Sequence, residues 1–418
     1  MKIPFKSSAR KQLVTAAAVV FSIAYVGLVA SRFAASWLGN RIELSSLKKA
    51  AWLDPGNADY RNHLGRFYDL VARDPALAVG EYRAAVQLDP HSARFWFDLA
   101  GAYQVLADTA NQSAALERAI QADSMTPDVA WEAANLYLVQ GENEKALREF
   151  RVVMAGDPEL APAAIRFCWH IEPDVDALLR DVIPPRSEAY VAFLGLLETK
   201  QETAGAAKVW NAMMQAHLPF ERGLAYDYIK YLLQHKEVDQ AVLVWHENVD
   251  RFGLSSYLPS PHNLIINGSF SLELLNAGFD WQYQPQSGVD LTLDASDFHA
   301  GLRSLTITFD GPGITDAGIY QFVAVQPNTT YDFSAYYKTS DMEGAGGPHF
   351  TIQDMYTQAV YYESDELKDA SFWKSADGEF TTGPECKLVV LHVRRLPAGS
   401  PIRGKLWIDD FHLTRKAS

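Results

Sequence analysis

The chain has 418 residues, 48% hydrophobic and 21% charged, a formal net charge of −14 and two cysteines. This length exceeds one ordinary domain, and the composition belongs to folded rather than disordered protein. The acidic balance excludes a nucleic-acid binder, which needs a basic surface; Cys168 and Cys386, far apart and without a CxxC, exclude a disulfide framework and a cysteine-based zinc site.

In chain order, the first element is apolar. Residues 12–31 carry no charge. About 20 such residues suffice to cross the hydrocarbon layer, and a helix satisfies its own backbone there. Lys2, Lys6, Arg10 and Lys11 precede the run, and the first acidic residue is Glu43. The positive-inside rule therefore places residues 1–11 in the cytoplasm and the bulk of the chain beyond a bacterial cytoplasmic membrane, periplasmic or extracellular; Arg32 and Arg41 oppose this in part. The competing reading is a cleaved secretory signal ending at Ala34-Ala35-Ser36. The length of the run, and Arg32 ahead of that site, favour an uncleaved anchor over 12–31.

Residues 42–252 are helical and repeat themselves. The units end at Ala51-Trp-Leu-Asp-Pro55, Ala85-Val-Gln-Leu-Asp-Pro90 and Met154-Ala-Gly-Asp-Pro158. Their interiors offer Leu64, Gly65 and Tyr68, then Ala78, Tyr82 and Ala85; Leu99, Ala100 and Tyr103, then Leu116 and Ala119; Ala133, Ala134 and Tyr137, then Ala146 and Phe150. Small residues let paired helices approach, aromatics fill the gaps between units, and proline ends each unit. This pattern resembles the tetratricopeptide repeat, with its period of about 34 residues. From Ala163 to Phe252 the period blurs while helical stripes continue through Phe193, Trp210, Tyr228 and Trp245. The resemblance implies an all-α superhelical solenoid that binds a protein partner in its groove.

Composition changes at Tyr257-Leu-Pro-Ser-Pro-His262, and residues 253–262 read as a linker. Beyond it, over residues 263–418, short alternating stretches dominate: Leu291–Leu293, Leu305–Phe309, Tyr320–Val325, Tyr331–Tyr337, Phe350–Ile352, Leu388–Val393 and Lys405–Ile408. So many short strands imply an all-β jelly-roll sandwich. Several phrases, in order, resemble galactose-binding-like carbohydrate-binding modules: Asn263-Leu-Ile-Ile-Asn-Gly-Ser-Phe270 as opening strand, Gly278-Phe-Asp-Trp281, His299-Ala-Gly-Leu-Arg-Ser-Leu305, Tyr320-Gln321 with Pro327-Asn-Thr-Thr-Tyr331, and Lys405-Leu-Trp-Ile-Asp-Asp-Phe411 as closing strand.

The resemblance implies polysaccharide binding by stacked aromatics. Tyr and Trp join an apolar body to a polar handle. From a dense set of aromatics that includes Tyr320, Tyr336 and Trp407, the expected binding face is Trp281, Tyr283, Tyr337 and Tyr361. Alternation sends Tyr336 and Tyr337 to opposite faces, so at most one of them is core. The resemblance also implies a structural calcium near the first and last strands, with Glu273, Asp409 and Asp410 as oxygen donors; Ser271 stands where the family commonly has Glu, which counts against that ion. No catalytic residue and no other cofactor is expected. His246-Glu247 is followed by Asp250 rather than the His of a metalloprotease motif, Gly344-Ala-Gly-Gly347 reads as a turn, and no GxSxG occurs.

The combined expectation is a non-catalytic membrane scaffold that joins a protein partner to a glycan, in exopolysaccharide or cell-envelope assembly. The alternatives are an accessory glycoside-active enzyme and a purely structural envelope protein.

Overall fold

The computed structural model describes residues 8–416; Lys2 and Lys6, used above for orientation, lie outside them. The chain divides into two compact units, one up to Leu218 and one from Pro219.

The first unit opens with α1 (Ser8–Gly39), a helix long and apolar enough to cross a membrane. Leu13, Phe21, Tyr25 and Val29 are exposed along it. Its last turns differ. Ala35 is buried with Leu47, Ala50, Tyr60 and Leu64, and a Cβ on Gly39 would lie 2.5 Å from the Tyr60 ring. The apolar segment is therefore continuous with the helical core rather than tethered to it. The hairpins that follow are built from α2 (Leu44–Leu53), α3 (Ala58–Arg66), α4 (Pro75–Leu88), α5 (Ala93–Val105), α6 (Thr109–Ala122), α7 (Pro127–Gln140) and α8 (Asn143–Gly156).

The repeat residues explain these elements. Asp54, Asp89, Asp123 and Asp157 each follow a helix in extended or near-extended backbone, so α2, α4, α6 and α8 all stop at an aspartate. Asp74 and Asp108 cap the next second-of-pair helices by accepting from Leu77 N (3.0 Å) and Asn111 N (3.2 Å). Pro75 and Pro127 occupy first turns, where a missing N–H costs nothing. Gly65 is required by packing, since a Cβ there would meet the Tyr82 ring at 2.5 Å. Phe150 is fully buried and stacks on Phe167 at 5.4 Å. The period blurs after α9 (Ala161–Ile171) for a visible reason. Its successor, α10 (Val175–Ala177), is one turn that widens into a π-helical turn at Leu178–Val182 before Pro184 and Pro185. Regular pairing resumes with α11 (Ser187–Lys200) and α12 (Thr203–Gln215).

The second unit holds α13 (Arg222–Gln234), α14 (Val238–Arg251) and two five-stranded antiparallel sheets. The strands are β1 (Gln282–Tyr283), β2 (Val289–Asp294), β3 (Ser304–Gly313), β4 (Asp316–Ala324), β5 (Thr330–Gly344), β6 (Gly347–Asp354), β7 (Val360–Glu363), β8 (Lys374–Thr381), β9 (Leu388–Leu396) and β10 (Pro401–Arg415). One sheet runs β1-β4-β9-β6-β7 and the other β2-β3-β10-β5-β8. Ile307, Phe333, Phe350, Leu391, Leu406 and Phe411 are among the side chains that fill the space between them. Ile408 and Phe411 both point inward because a bulge at Asp409–Asp410, with Asp410 at φ +54, shifts the parity of β10.

Two expectations change here. Asn263–Phe270 is an irregular segment rather than an opening strand. It is tied to β10 by Leu264 N to Leu413 O (2.9 Å) and Phe411 N to Gly268 O (3.0 Å), and a Cβ on Gly268 would lie 2.3 Å from the Phe411 carbonyl. Residues 253–262, read as linker, contain a packed turn. Tyr257 is buried, its carbonyl accepts from Trp245 Nε1 (3.0 Å), and its hydroxyl donates to Glu273 O (2.8 Å). The same Trp245 lies over Gly278, where a Cβ would meet its ring at 2.2 Å, and sits edge-on to Phe279 at 6.1 Å. Tyr356 donates to Leu233 O at 2.8 Å. Thus α13 and α14, which the sequence pattern assigns to the repeats, pack on the sandwich.

Asp280 sits under this junction, fully buried; one oxygen accepts from Leu275 N (2.7 Å) and the other has no partner. Burial pushes its carboxyl up to about 7 from 3.8. Between those values the folded chain holds a proton that the unfolded chain has released, so this contribution to stability is full below about pH 4 and is lost as pH rises through 7. Asp280→Asn keeps an acceptor for Leu275 and cannot ionise. Denaturant melts of wild type and variant at about pH 5 and about pH 8 should show a smaller loss of stability in the variant, and equal losses would refute the assignment.

Candidate functional site

The outer face of the β1-β4-β9-β6-β7 sheet follows from alternation. On β4, Ile319 and Val323 point into the core, which leaves Tyr320 and Phe322 outside; on β9, Leu391 and Val393 are inside and Val390, His392 and Arg394 outside; on β6, Phe350 and Ile352 are inside and Thr351 and Gln353 outside. Register then aligns two rows across the sheet. One is Gln282, Tyr320, His392 and Thr351; the next is Phe322, Val390 and Gln353. Loops add Gln284, Gln286, Met355 and Gln358, which with Asp316, Tyr320, Phe322, Gln353, Val390 and His392 enclose a cleft of about 340 Å³.

Its polar groups are held in place by one another. Arg394 Nη1 donates to Gln353 Oε1 (3.0 Å), and Gln353 Nε2 donates to Gln358 Oε1 (2.8 Å). Tyr320 donates to Gln282 Oε1 (3.2 Å), and its ring meets Phe322 edge-on at 5.4 Å and His392 at 6.1 Å. Burial raises the Tyr320 hydroxyl pKa, with Asp316 adding to it, so the group stays a neutral donor and acceptor. His392 Nδ1 lies 3.1 Å from Asp316, and Nε2 of His392, a lining residue of the cleft, is buried with no hydrogen-bond partner. A carboxamide donates and accepts at fixed spacing, as a hydroxyl does, and an aromatic ring offers an apolar face. The cleft therefore suits a ligand that alternates hydroxyls with C–H surface.

The other sheet also presents aromatics, with the indole N–H groups of its tryptophans Trp373 and Trp407 already engaged. Trp407 Nε1 donates to Asp294 (3.0 Å) and Trp373 Nε1 to Asp297 (3.2 Å); Tyr336 stacks on His299 at 3.6 Å; Lys338 pairs with Asp297. That face is a closed network.

The expected binding residues are not brought together. Trp281 is 1% exposed, sandwiched near Phe270 and Phe411 (both 5.0 Å), with Nε1 donating to Asn267 O (3.1 Å). Tyr337 is core, and burial raises its pKa; its neighbour Tyr336 is the outward member of the pair. Tyr361 packs at the core edge, stacked on Phe380, and its hydroxyl, pushed up to about 12 by burial, accepts from Gly383 N (3.0 Å). Tyr283 alone is exposed, on the edge strand β1.

The three carboxylates offered for calcium do not fit that ion. Glu273 pairs with Arg303 (2.8 Å), Asp410 contacts His299 and His412, and buried Asp409 accepts from the backbone N–H groups of His299, Ala300 and Asp410. Burial pushes Asp409 up to about 6. Its oxygens are spent on closing the loop to the bulge. Among the described residues, no group of three His, Cys, Asp or Glu side chains is placed to hold a metal.

The sequence reading missed the carboxamides and His392 and did not select Tyr320. A signal was present in Trp281-Gln-Tyr-Gln-Pro-Gln286, where Gln recurs at every second position as it would along one face of an extended segment.

Residues 262–397 match the family of a carbohydrate binding domain. No curated protein matches the chain in sequence. Solved structures resemble parts of it. A family 4 carbohydrate-binding module is 16% identical, over 36% of this chain and 99% of its own, with a TM-score of 0.28. MamA is 21% identical over 42% and 86%, with a TM-score of 0.25. PilF of Pseudomonas aeruginosa is 18% identical over 54% and 93%, with a TM-score of 0.24.

Trp281 and Tyr320 should separate by experiment. Trp281→Ala removes a buried indole and should cost about 3–5 kcal/mol in denaturant unfolding of the second unit. Tyr320→Ala, on the cleft wall, should stay within about 1 kcal/mol of wild type.

Proposed function

We propose that the chain is a non-catalytic, membrane-held scaffold whose β-sandwich binds a neutral glycan on the outer face of the β1-β4-β9-β6-β7 sheet. The observation that carries this is the cleft itself, where Tyr320 and Phe322 stand among Gln284, Gln286, Gln353 and Gln358 within the segment that matches a carbohydrate binding domain. Carboxamides outnumber charges there, which favours sugar hydroxyls over phosphate or sulfate. One carboxylate, Asp316, lines this cleft, and it is held beside His392. Glycoside hydrolysis uses two carboxyls across the scissile bond, so this lining favours binding over cleavage.

The tetratricopeptide-type hairpins supply a surface for a protein partner. The apolar helix α1 serves as an uncleaved anchor with the bulk of the chain outside the cytoplasm. Its support is that Ala35, at the candidate cleavage point, is fully buried in the same core as Leu47 and Tyr60. The reading fits a role in exopolysaccharide or envelope assembly, where a membrane-bound partner and a growing polymer must be kept together.

The test is a glycan array and polysaccharide affinity electrophoresis with the full chain in detergent. Specific binding to neutral glycans, weakened about tenfold or more by Tyr320→Ala, is the expected result. Absence of binding by the folded chain to any glycan overturns it. New reducing ends released from a bound glycan would favour the glycoside-active alternative.

A further inference from the structure

Helix α13 stands over one end of the same cleft. Its side chains Tyr226, Asp227, Lys230 and Gln234, together with Asn276 and Gln282, line a second hollow of about 320 Å³. This hollow adjoins the first, because Gln284, Tyr320, Phe322 and Met355 form a wall common to both. Asp227, Lys230 and Gln234 recur at helical spacing, so they form one stripe on one face, and all three are exposed. Behind them the helix is fixed. Ala225, Ile229, Leu232 and Leu233 are buried, Tyr226 lies 6.1 Å from Trp245, and Trp245 is seated over Gly278. On the far side of the contact, Tyr356 Oη donates to Leu233 O, Lys236 lies 5.5 Å above the Tyr356 ring, and Lys387 pairs with Asp239 of α14 at 2.5 Å.

We infer that α13 is a wall of the glycan site, and that Asp227, Lys230 and Gln234 form a second sugar subsite beside the one on the sheet. This rests on the sheet-face reading above. The physical case has three parts. The helix is outside the segment that matches the carbohydrate binding domain, 262–397, yet its polar stripe faces Tyr320 and Gln284, which belong to that segment. The stripe combines an acceptor, a cation and a carboxamide, and charged groups make the stronger bonds to hydroxyls. The helix is anchored by a buried tryptophan and by the Tyr356 hydroxyl on the Leu233 carbonyl, so the backbone that carries the stripe is already placed and only its side chains are ordered when a sugar arrives. The occupant is an oligosaccharide long enough to place one residue against Tyr320 on the sheet and another against the helix. A monosaccharide fills the sheet subsite alone.

The experiment titrates neutral gluco-, xylo-, manno- and galacto-configured oligosaccharide ladders, from monosaccharide upward, into the full chain in detergent. Three chains are compared: wild type, Tyr320→Ala, and a triple variant Asp227→Ala, Lys230→Ala, Gln234→Ala. The triple variant changes exposed side chains, and an unchanged melting temperature verifies its fold. Wild type should bind longer members more tightly. The triple variant should lose about tenfold on those members and bind the shortest member that wild type recognises with unchanged affinity. Tyr320→Ala should weaken every member. If the triple variant matches wild type along the whole ladder while Tyr320→Ala loses binding, the helix subsite is refuted and the sheet reading stands. If wild type binds no ladder, or Tyr320→Ala binds as wild type does, the sheet reading fails and the helix subsite falls with it.

Discussion

Strand alternation is the constraint on which the second unit depends. β4 and β9 are rich in apolar residues, and β4, β9 and β6 each commit one parity to the core and the other to the outer face. Ile319, Leu391 and Ile352 are therefore inside because Tyr320, His392 and Thr351 are outside. A one-residue slip in any of these strands would exchange the two sets. The core and the cleft are two sides of one register, and a single arrangement of hydrogen bonds specifies both.

The two outer faces of the sandwich show why aromatic content alone does not make a binding site. On the β10 side, each indole N–H is spent on an aspartate and His299 covers Tyr336, so the rings support one another. On the β4 side, the amides hold each other in a chain from Arg394 through Gln353 to Gln358, which orients them without using all their capacity, since a carboxamide offers two N–H donors and an accepting oxygen. Asp409 supplies a related contrast. A carboxylate that suits a metal by type is here the closing element of a loop, because three backbone N–H groups converge on it.

The junction of α13 and α14 with the sandwich turns on Gly278. At φ +60 and with the Trp245 ring against it, no side chain fits there. That contact seats the helix pair and brings a polar helical stripe to the rim of the sheet. A helix pair with repeat-like periodicity has thereby become part of a β module, and the apolar stripe that would face another repeat is covered by Phe279 and the turn at Tyr257.

Local pattern determined much of this protein. The charge-free run before Arg32, the Asp-Pro ends of the helical units, the small residues Gly65, Ala85 and Ala134, and the alternating strands from Leu291 to Ile408 are signals carried by residues near one another in the chain, and each became the element its spacing required. The match of the C-terminal segment to a carbohydrate binding domain was legible in its phrases. What the sequence did not decide was which face a strand residue occupies when both parities are apolar. Tyr337 and Tyr336 alternate correctly, yet only packing shows that Tyr337 is the core member. Trp281 and Tyr320 are equally plausible as aromatics, and only the surroundings of each ring, Phe270 and Phe411 for one and a carboxamide-lined cleft for the other, separate them. Those surroundings come from strands and loops more than a hundred residues apart in places, and contact at such separation is a property of the folded sheet order, which local spacing does not encode.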